Sequence, residues 1–236
     1  MVVEFEEAVT EIIQQTHDVK SFRFKRPVDF DYKAGQYMFI TLNVLDKKMR
    51  KPFTISSSPT KKDHIEFTKK LTGHDFSNAL DVLVTGDLVG IDGPYGQMTF
   101  EGEYNKIALL SGGIGITPMI SICRYCTDLK LGTKVTLVSS NKTEKDIAFR
   151  DELEQIQLQN KNLKVVHTLT RAGDEWKGCR ERICENLIAR EIADYRERVF
   201  YLCGPPRLME AMVQLMNDLR IPAERIKKEY FTEYQD

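Results

Sequence analysis

The chain has 236 residues, of which 42% are hydrophobic and 29% charged, a balance typical of one or two globular domains. Its formal net charge of −1 excludes a global field that attracts nucleic acid or an anionic membrane. The acidic first ten residues predict no signal peptide, and no run of about 18 apolar residues predicts a membrane span. The five cysteines, an odd and scattered set, indicate a reducing compartment, so we expect a cytoplasmic protein.

The first hundred residues carry short strand patterns separated by turn residues. These patterns cover residues 21–25, 37–42, 64–68 and 87–91. One helix is predicted in this part, over 77–83, with Ser77 as its N-cap. Many short strands with glycine and proline between them are typical of a β-barrel or a β-sandwich.

The pattern changes near Asn105, after which strands and helices alternate. Predicted strands cover 107–110, 135–139, 163–169, 199–202 and 226–230. Predicted helices cover 118–129, 144–159, 182–190 and 206–219. This alternation favours a doubly wound parallel sheet with helices on both faces. We therefore predict an all-β domain at 1–102 and an α/β domain at 103–236, joined near residues 101–105.

A glycine-rich turn, SGGIGITP at 111–118, follows the first strand of the α/β domain and opens its first helix. Glycines allow the backbone to approach a phosphate closely, and a helix N-terminus presents free N–H groups to an anion. Thr117 suits the N-cap and Pro118 the first helical position. The alternative is a glycine-rich turn that only connects a strand to a helix, because such motifs give false positives.

A second turn, CGPP at 203–206, follows the fourth strand of the α/β domain. In a parallel sheet of order 3-2-1-4-5, the first and fourth strands are neighbours, and ligands bind in the crevice where their connections diverge. The two turns are therefore predicted to face each other across one cleft. Their convergence favours a nucleotide site over a simple connection.

Six motifs in chain order resemble those of the ferredoxin–NADP reductase-like superfamily. The sequence KPFTISSSP at 51–59 resembles the flavin signature of that family. The other motifs are AGQY at 34–37, GHDFS at 73–77, GPYG at 93–96, the glycine turn at 112–118 and CGPP at 203–206. The resemblance covers essentially the whole chain. It implies an antiparallel FAD-binding barrel followed by an NAD(P)-binding α/β domain without a ferredoxin domain.

The resemblance also implies roles for the matched residues. Thr54 and Cys203 are the candidate catalytic residues, with the Thr54 hydroxyl near flavin N5 and Cys203 near the nicotinamide ring. Phe53 is expected to pack against the isoalloxazine, and Lys51 and Ser77 to bind the FAD phosphates. The candidate cofactor-binding residues are Arg50, Lys51, Pro52, Phe53, Thr54, Gly73, His74, Phe76, Ser77, Gly112, Gly113, Gly115, Thr117, Pro118, Thr170, Arg171, Cys203, Gly204, Pro205 and Phe231.

Two residues depart from the family's flavin signature. Lys51 stands where arginine is usual, which replaces a bidentate fork by a point charge. Arg50 could compensate, although neighbouring residues of a strand point to opposite faces. Phe53 stands where tyrosine is commoner, which keeps the stacking surface and removes a hydroxyl. Outside this family, Phe53 would be an ordinary core aromatic and residues 56–58 a solvated turn.

The resemblance implies a flavin-dependent NAD(P)H oxidoreductase that passes hydride to FAD N5 and electrons onward. A ferredoxin, a flavodoxin, an oxygenase component, a haem protein or free flavin could accept them. The alternatives are an electron-transfer subunit of a larger complex, such as an oxygenase or dihydroorotate dehydrogenase, and a binding module without hydride chemistry. Residues 227–236 contain no cysteine, which counts against the iron–sulfur tail that the dihydroorotate dehydrogenase subunit carries.

The adenosine end of the nicotinamide cofactor is expected near residues 140–143 and beside Thr170 and Arg171. Thr170, Arg171 and Lys142 could bind a 2′-phosphate, and no acidic residue at these positions excludes it. We therefore expect both NADH and NADPH to be accepted, with NADH modestly preferred.

Other chemistry-bearing residues favour structural roles. Cys123 and Cys126 are three residues apart in a predicted helix and lack a second pair at zinc-ligand spacing, so we expect packed core residues and no metal site. The four histidines are scattered, and His74 lies in a flavin motif. Lys47 and Lys48 are expected in a solvated loop.

Overall fold

The computed structural model describes residues 1–230, which form a curled antiparallel sheet followed by a parallel sheet. The first sheet has the strand order β4-β3-β6-β1-β2-β5. A short helix, α1, lies between β5 and β6. The bounds are Val3–Thr16 (β1), Val19–Lys25 (β2), Tyr37–Val44 (β3), Lys47–Thr54 (β4), His64–Lys70 (β5), Asp75–Asp81 (α1) and Leu88–Tyr95 (β6).

Strands β1 and β4 were not among the strands predicted from the sequence patterns. Strand β1 was not predicted: its alternation covers only residues 3–6 and changes phase at the consecutive acids Glu6 and Glu7. The loop predicted at Lys47 and Lys48 is wrong: both residues are exposed, but they pair with β3 in a hairpin. Leu45 and Asp46 make its two-residue turn, with φ angles of 49° and 63°, the left-handed values that a tight hairpin requires.

Aromatic residues fill the interior of the curled sheet. The ring of Phe67 is stacked on that of Phe22 at 5.0 Å between centroids, and the Phe53 ring lies 4.9 Å from it. The ends of β4 and β5 approach each other through a bridge between Ile55 and Phe67. The Ser56 N–H also donates to the Glu66 carbonyl at 2.7 Å, so the sheet curls into a barrel around this core.

The parallel sheet has the order β11-β10-β7-β8-β9, which is the predicted 3-2-1-4-5 arrangement. The fold-class prediction is confirmed: an antiparallel barrel is followed by a doubly wound α/β domain. The bounds are Lys106–Gly112 (β7), Ile116–Asp128 (α2), Lys134–Asn141 (β8), Arg150–Gln159 (α3), Leu163–Leu169 (β9), Glu185–Glu191 (α4), Val199–Gly204 (β10), Pro206–Asp218 (α5) and Ile226–Tyr230 (β11).

Helices cover both faces of this sheet. Helices α2 and α3 pack on one face, where Cys123 and Cys126 are fully buried core residues, as predicted. Helices α4 and α5 pack on the other face. The predicted helix at 144–159 is divided, because Phe149 takes a φ of 59° and α3 begins only at the next residue. Barrel residues Ala34 and Phe100 belong to the same core cluster as α2, so the two domains share a hydrophobic contact.

The two glycine-rich turns are in direct contact at the centre of the parallel sheet. A Cβ at Gly115 would lie 2.3 Å from the Cys203 carbonyl oxygen and 2.7 Å from the Cα of Gly204. A Cβ at Gly204 would lie 3.3 Å from the Gly112 nitrogen. The predicted convergence of the two turns is therefore confirmed, and the absence of side chains is what permits it.

We expect Gly115→Ala to lower the free energy of unfolding by about 2 kcal/mol or more, because the new methyl group meets backbone atoms that cannot rotate away. Gly132→Ala is the matched control, since no described atom lies within 4 Å of its Cβ position. Urea unfolding of both FAD-loaded variants measures the difference. Equal stability of the two variants would contradict the close approach of the turns.

Candidate functional site: two facing nucleotide sites

A cleft of about 530 Å³ lies at the carboxyl ends of the parallel strands. The two glycine-rich turns form its floor through Gly112, Gly113 and Pro205. Val19 and Lys70 of the barrel line the same cleft, so it opens between the two domains. This is the crevice at which open α/β sheets bind dinucleotides.

Gly113 exposes its backbone to the cleft, so that a ligand can approach it closely. Its φ is +51°, and among the described residues no atom lies within 4 Å of where its Cβ would be. A 3₁₀ turn at Gly113–Gly115 leads directly into α2. The helix therefore begins at Ile116, and the predicted N-cap at Thr117 is wrong because the Thr117 hydroxyl donates to the Ile114 carbonyl at 3.1 Å. Pro118 is accordingly the third helical residue rather than the first.

Charged residues line the cleft above the two glycine-rich turns. Lys70, Lys142, Arg182 and Arg207 line it, and Asp146 is the acidic residue among its lining residues in the described part of the chain. Basic groups at these positions suit a phosphate-bearing ligand. Arg182 and Arg207 were missed because each lies far along the chain from the glycine turn.

The two residues predicted at the adenosine end differ in their position relative to the cleft. Thr170 lines the cleft, whereas Arg171 is exposed and is not among its lining residues. Asp146 enters the cleft after the end of β8, and its oxygen Oδ2 accepts bonds from the Thr143 N–H and hydroxyl at 2.8 and 2.7 Å. Burial raises the pKa of Asp146, but these bonds outweigh burial and hold it below its usual value.

Cys203 is the penultimate residue of β10 and is fully buried beside Glu229 of β11, its partner in the strand register. Burial, and then the charge of Glu229, raise the pKa of the Cys203 thiol well above its usual value. Burial also raises the pKa of the Glu229 carboxyl to about 7. Within residues 1–230, the buried Glu229 oxygen Oε2 has no hydrogen-bond partner. Glu229 was missed because an acidic residue near a C-terminus has no distinctive pattern.

A second concave surface lies on the barrel, where the flavin signature and the GHDFS motif meet. It is formed by Lys51, Phe53, Lys69, Thr72, His74, Phe76 and Ser77. Phe53 and Phe76 are stacked with 5.8 Å between ring centroids. This surface therefore combines an aromatic wall with two lysines, which suits an aromatic ring system that carries phosphates.

Arg50 lies away from this surface. Its guanidinium donates to Asp92 at 2.8 and 2.5 Å and lies 3.4 Å from the centroid of the Phe39 ring. Strand alternation explains this, since Lys51 and Phe53 share one side of β4 and Arg50 faces the other. The structure therefore does not support the predicted cofactor-binding role of Arg50, and Lys69 of β5 joins Lys51 instead.

The GHDFS motif forms the turn into α1. Gly73 takes a φ of +80°, and α1 begins at Asp75, so Ser77 is the third helical residue and not the predicted N-cap. The Ser77 hydroxyl oxygen accepts from the Thr72 N–H at 2.8 Å. An accepting hydroxyl keeps its own proton available for a ligand.

Thr54 ends β4, directly after Phe53. Its side chain is buried, and among the described residues no group is hydrogen-bonded to its hydroxyl oxygen. Buried hydroxyls are rarely left without a partner, because desolvation costs about 1–3 kcal/mol. The buried Thr54 hydroxyl and the buried Glu229 oxygen Oε2 are therefore each available to a bound ligand. Pro52 separates Lys51 from Phe53 in β4, and Phe231 lies outside the described residues.

No group of three or more His, Cys, Asp or Glu side chains within residues 1–230 is arranged to hold a metal ion. No helix in that part of the chain is long and apolar enough to cross a membrane.

Comparison with known proteins identifies both domains. Residues 6–100 match the family model of the oxidoreductase FAD-binding domain, and residues 109–214 that of the oxidoreductase NAD-binding domain. The predictions of FAD, of a nicotinamide cofactor and of an oxidoreductase are confirmed by these matches. They also agree with the two nucleotide surfaces described above.

Curated relatives are reductase components. The chain is 32% identical to the glycine betaine monooxygenase reductase subunit of Chromohalobacter salexigens, over 87% of this chain and 58% of the relative. It is 26% identical to the propane 2-monooxygenase reductase component of Mycolicibacterium smegmatis, over 92% of this chain and 65% of the relative. The chain thus spans about 60% of the length of these relatives.

The fold is also that of a solved reductase. The structure of a ferredoxin NADP⁺ reductase from Neisseria gonorrhoeae with bound FAD and NADP superimposes with a TM-score of 0.83 at 21% identity, covering 97% of this chain and 99% of that one. The matched domain models, the ordered motifs and this fold agree. The chain belongs to the ferredoxin–NADP reductase-like superfamily.

Proposed function

We propose that this chain is an FAD-dependent NADH reductase that supplies electrons to an oxygenase component. The observation that carries the proposal is the shared cleft, which the glycine turns of the α/β domain and Lys70 of the barrel line together. A dinucleotide held by the glycine turns can therefore reach the barrel. The reductase components among the relatives support an oxygenase as the destination of the electrons.

The barrel residues would hold FAD. Lys51 and Lys69 supply positive charge for its phosphates, and the Ser77 hydroxyl supplies a donor. Phe53 offers an apolar ring for stacking, and the Thr54 hydroxyl offers a hydrogen bond at the reactive edge. A flavin held by these residues would supply a hydride acceptor for the nicotinamide cofactor and a means of releasing the two electrons singly.

The α/β residues would hold and orient the nicotinamide cofactor. Gly113 and the turn that leads into α2 offer backbone N–H groups to its pyrophosphate. The Cys203 thiol stays protonated because burial raises its pKa, so it contributes a neutral packing surface rather than a nucleophile. The Glu229 carboxyl lies beside it and can carry negative charge at neutral pH.

We expect Thr54→Ala to lower the limiting rate of flavin reduction by NADH about tenfold or more while FAD is retained, because the lost hydroxyl acts at N5 and not at the phosphates. Thr54→Ser, which keeps the hydroxyl, is the matched control and stays within about threefold of wild type. Rapid mixing without oxygen gives the rate, and the flavin absorbance gives the retention. A normal rate in Thr54→Ala would remove Thr54 from the catalytic residues.

We expect the limiting reduction rate to rise as the pH increases through about 7, where burial sets the pKa of Glu229. Below this pH the carboxyl is neutral. Above it the carboxylate stabilises the positive charge that develops on the nicotinamide ring as hydride leaves. Glu229→Gln, which cannot ionise, is expected to show a flat profile between pH 6 and 8. The control Glu101→Gln alters an exposed carboxyl and keeps the wild-type profile. A rise that persists in Glu229→Gln would assign it to another group.

We further propose that NADPH is accepted less well than NADH. Asp146 lines the cleft together with Lys142 and Thr170, and a carboxylate there repels a 2′-phosphate while it tolerates a ribose hydroxyl. Arg171, exposed beside Thr170, remains the candidate that attracts this phosphate.

Asp146→Asn is therefore expected to raise kcat/KM for NADPH by about threefold or more relative to NADH. Arg171→Ala is expected to lower the value for NADPH more than that for NADH, since the extra charge belongs to NADPH alone. Paired kcat/KM measurements on wild type and both variants give the two ratios. Equal changes with both cofactors would place these residues outside the 2′-phosphate region.

A further inference from the structure

Helix α2 carries a buried arginine that reaches from the α/β domain into the barrel. Arg124 donates through Nε and Nη2 to both carboxylate oxygens of Glu152 at 2.6 and 2.7 Å. Through Nη1 it donates to the Ser56 carbonyl at 2.8 Å and to Glu66 at 2.7 Å. Glu152 belongs to α3, whereas Ser56 and Glu66 belong to the barrel. One guanidinium therefore joins three segments of the chain.

The barrel partner of this arginine is a carboxylate with no exposed surface. Glu66 is 0% exposed, and it also accepts from Arg23 at 2.8 Å and from the Ser56 hydroxyl at 2.9 Å. Burial alone raises the pKa of Glu66, but the charges of Arg124 and Arg23 outweigh burial and hold it below its usual value. A buried carboxylate so well supplied with donors stays ionised and fixes the direction of each donor.

The segment that Arg124 holds is the continuation of the flavin signature. Ser56 follows Thr54 by two residues, at the point where the bridge between Ile55 and Phe67 draws β4 towards β5. A second bond from α2 reaches the same segment, because the Ser121 hydroxyl donates to the Ser57 carbonyl at 2.8 Å. The end of β4 is thus attached to α2 at two consecutive carbonyls.

Helix α2 also meets the nicotinamide side of the site. Its amino-terminal end follows Gly113 and Ile114, which line the dinucleotide cleft. A rigid helix transmits position along its length, so the same element is fixed to the cleft at one end and to the Thr54 segment two turns later. We propose that Arg124 is a positioning residue that sets the distance between the flavin and nicotinamide sites. This inference rests on the proposed function.

A role in positioning differs from a role in stability alone. If Arg124 merely holds the domains together, its loss lowers stability and FAD content but leaves the reduction rate of each bound flavin unchanged. If it sets the donor–acceptor distance, the rate per bound flavin falls while NADH affinity is largely kept, because both glycine turns and most of the other residues that line the cleft belong to the α/β domain. A displacement of about 1 Å can cost on the order of 100-fold in rate.

The test replaces Arg124 by lysine, which keeps the charge but cannot donate to Ser56, Glu66 and Glu152 at once. We expect Arg124→Lys to lower the limiting rate of reduction per bound flavin about tenfold or more, with the Kd for NADH within about twofold of wild type. We expect the reduction rate of this variant to show a primary kinetic isotope effect when NADH is deuterated at the transferred position, because hydride transfer then limits the rate. The control Arg23→Lys alters the other cation of Glu66, which lies in the barrel, and stays within about twofold of the wild-type rate.

A second variant keeps the test valid if Arg124→Lys does not fold. Glu152→Gln weakens the orienting partner, which is partly exposed, and leaves the bonds to Ser56 and Glu66 in place. We expect a smaller reduction in the same rate, about threefold, with FAD retained. A wild-type rate per bound flavin in Arg124→Lys, or in Glu152→Gln where the first variant does not fold, would overturn the inference. Failure of wild-type protein to be reduced by NADH would instead overturn the proposed function.

Discussion

The close packing of helix α2 against the barrel segment that follows Thr54 is the constraint on which the rest of the site depends. Ser56, Ser57 and Ser58 are each 0% exposed, so three small residues allow the helix to approach the barrel. Their hydroxyls are all bonded, and that of Ser57, for example, lies 2.8 Å from the Tyr32 hydroxyl. These residues therefore do not form the solvated turn that was the alternative to a flavin signature, and the segment that follows Thr54 is an interdomain contact.

Small residues also permit the contact between the two glycine turns. Gly115 lies against the backbone of Cys203, where no Cβ fits, and this brings the start of α2 to the end of β10. The cleft, the Cys203 thiol and the Glu229 carboxyl are consequently within one region at the edge of the parallel sheet. On the α/β side, the backbones of the two glycine turns are in contact. On the barrel side, the buried serines pack against α2. Together these contacts bring the two nucleotide surfaces towards each other.

Much of this architecture was predictable from local sequence. The alternation of strands and helices after Asn105 predicted a parallel sheet covered on both faces, because parallel strands need long crossover connections that are usually helical. The apolar periodicity also predicted that Cys123 and Cys126 pack in the core. Strand β1 gave a weak pattern, because its alternation of apolar and acidic residues changes phase at Glu6 and Glu7. The break before α3 depends on the left-handed conformation of Phe149, which no propensity indicates.

The site was predictable only where residues lie within a motif. Thr54 and Ser77 lie in motifs, whereas Lys69, Arg124 and Glu229 enter the site region through strand pairing or helix packing over long sequence separations. Arg50 shows the opposite case, because it neighbours the motif in sequence but lies on the other side of β4 beside Asp92. Side-chain direction, rather than proximity along the chain, decides which cation can meet a phosphate.

We expect NADH to reduce FAD held by this single chain through the contact between its two domains. The most direct measurement is an oxygen-free titration of the FAD-loaded protein with NADH, followed by the flavin absorbance. The flavin band is expected to be bleached by about one equivalent of NADH per bound FAD, as a two-electron transfer requires. A protein that binds FAD and NADH but shows no bleaching, or one that takes up no FAD at all, would contradict it.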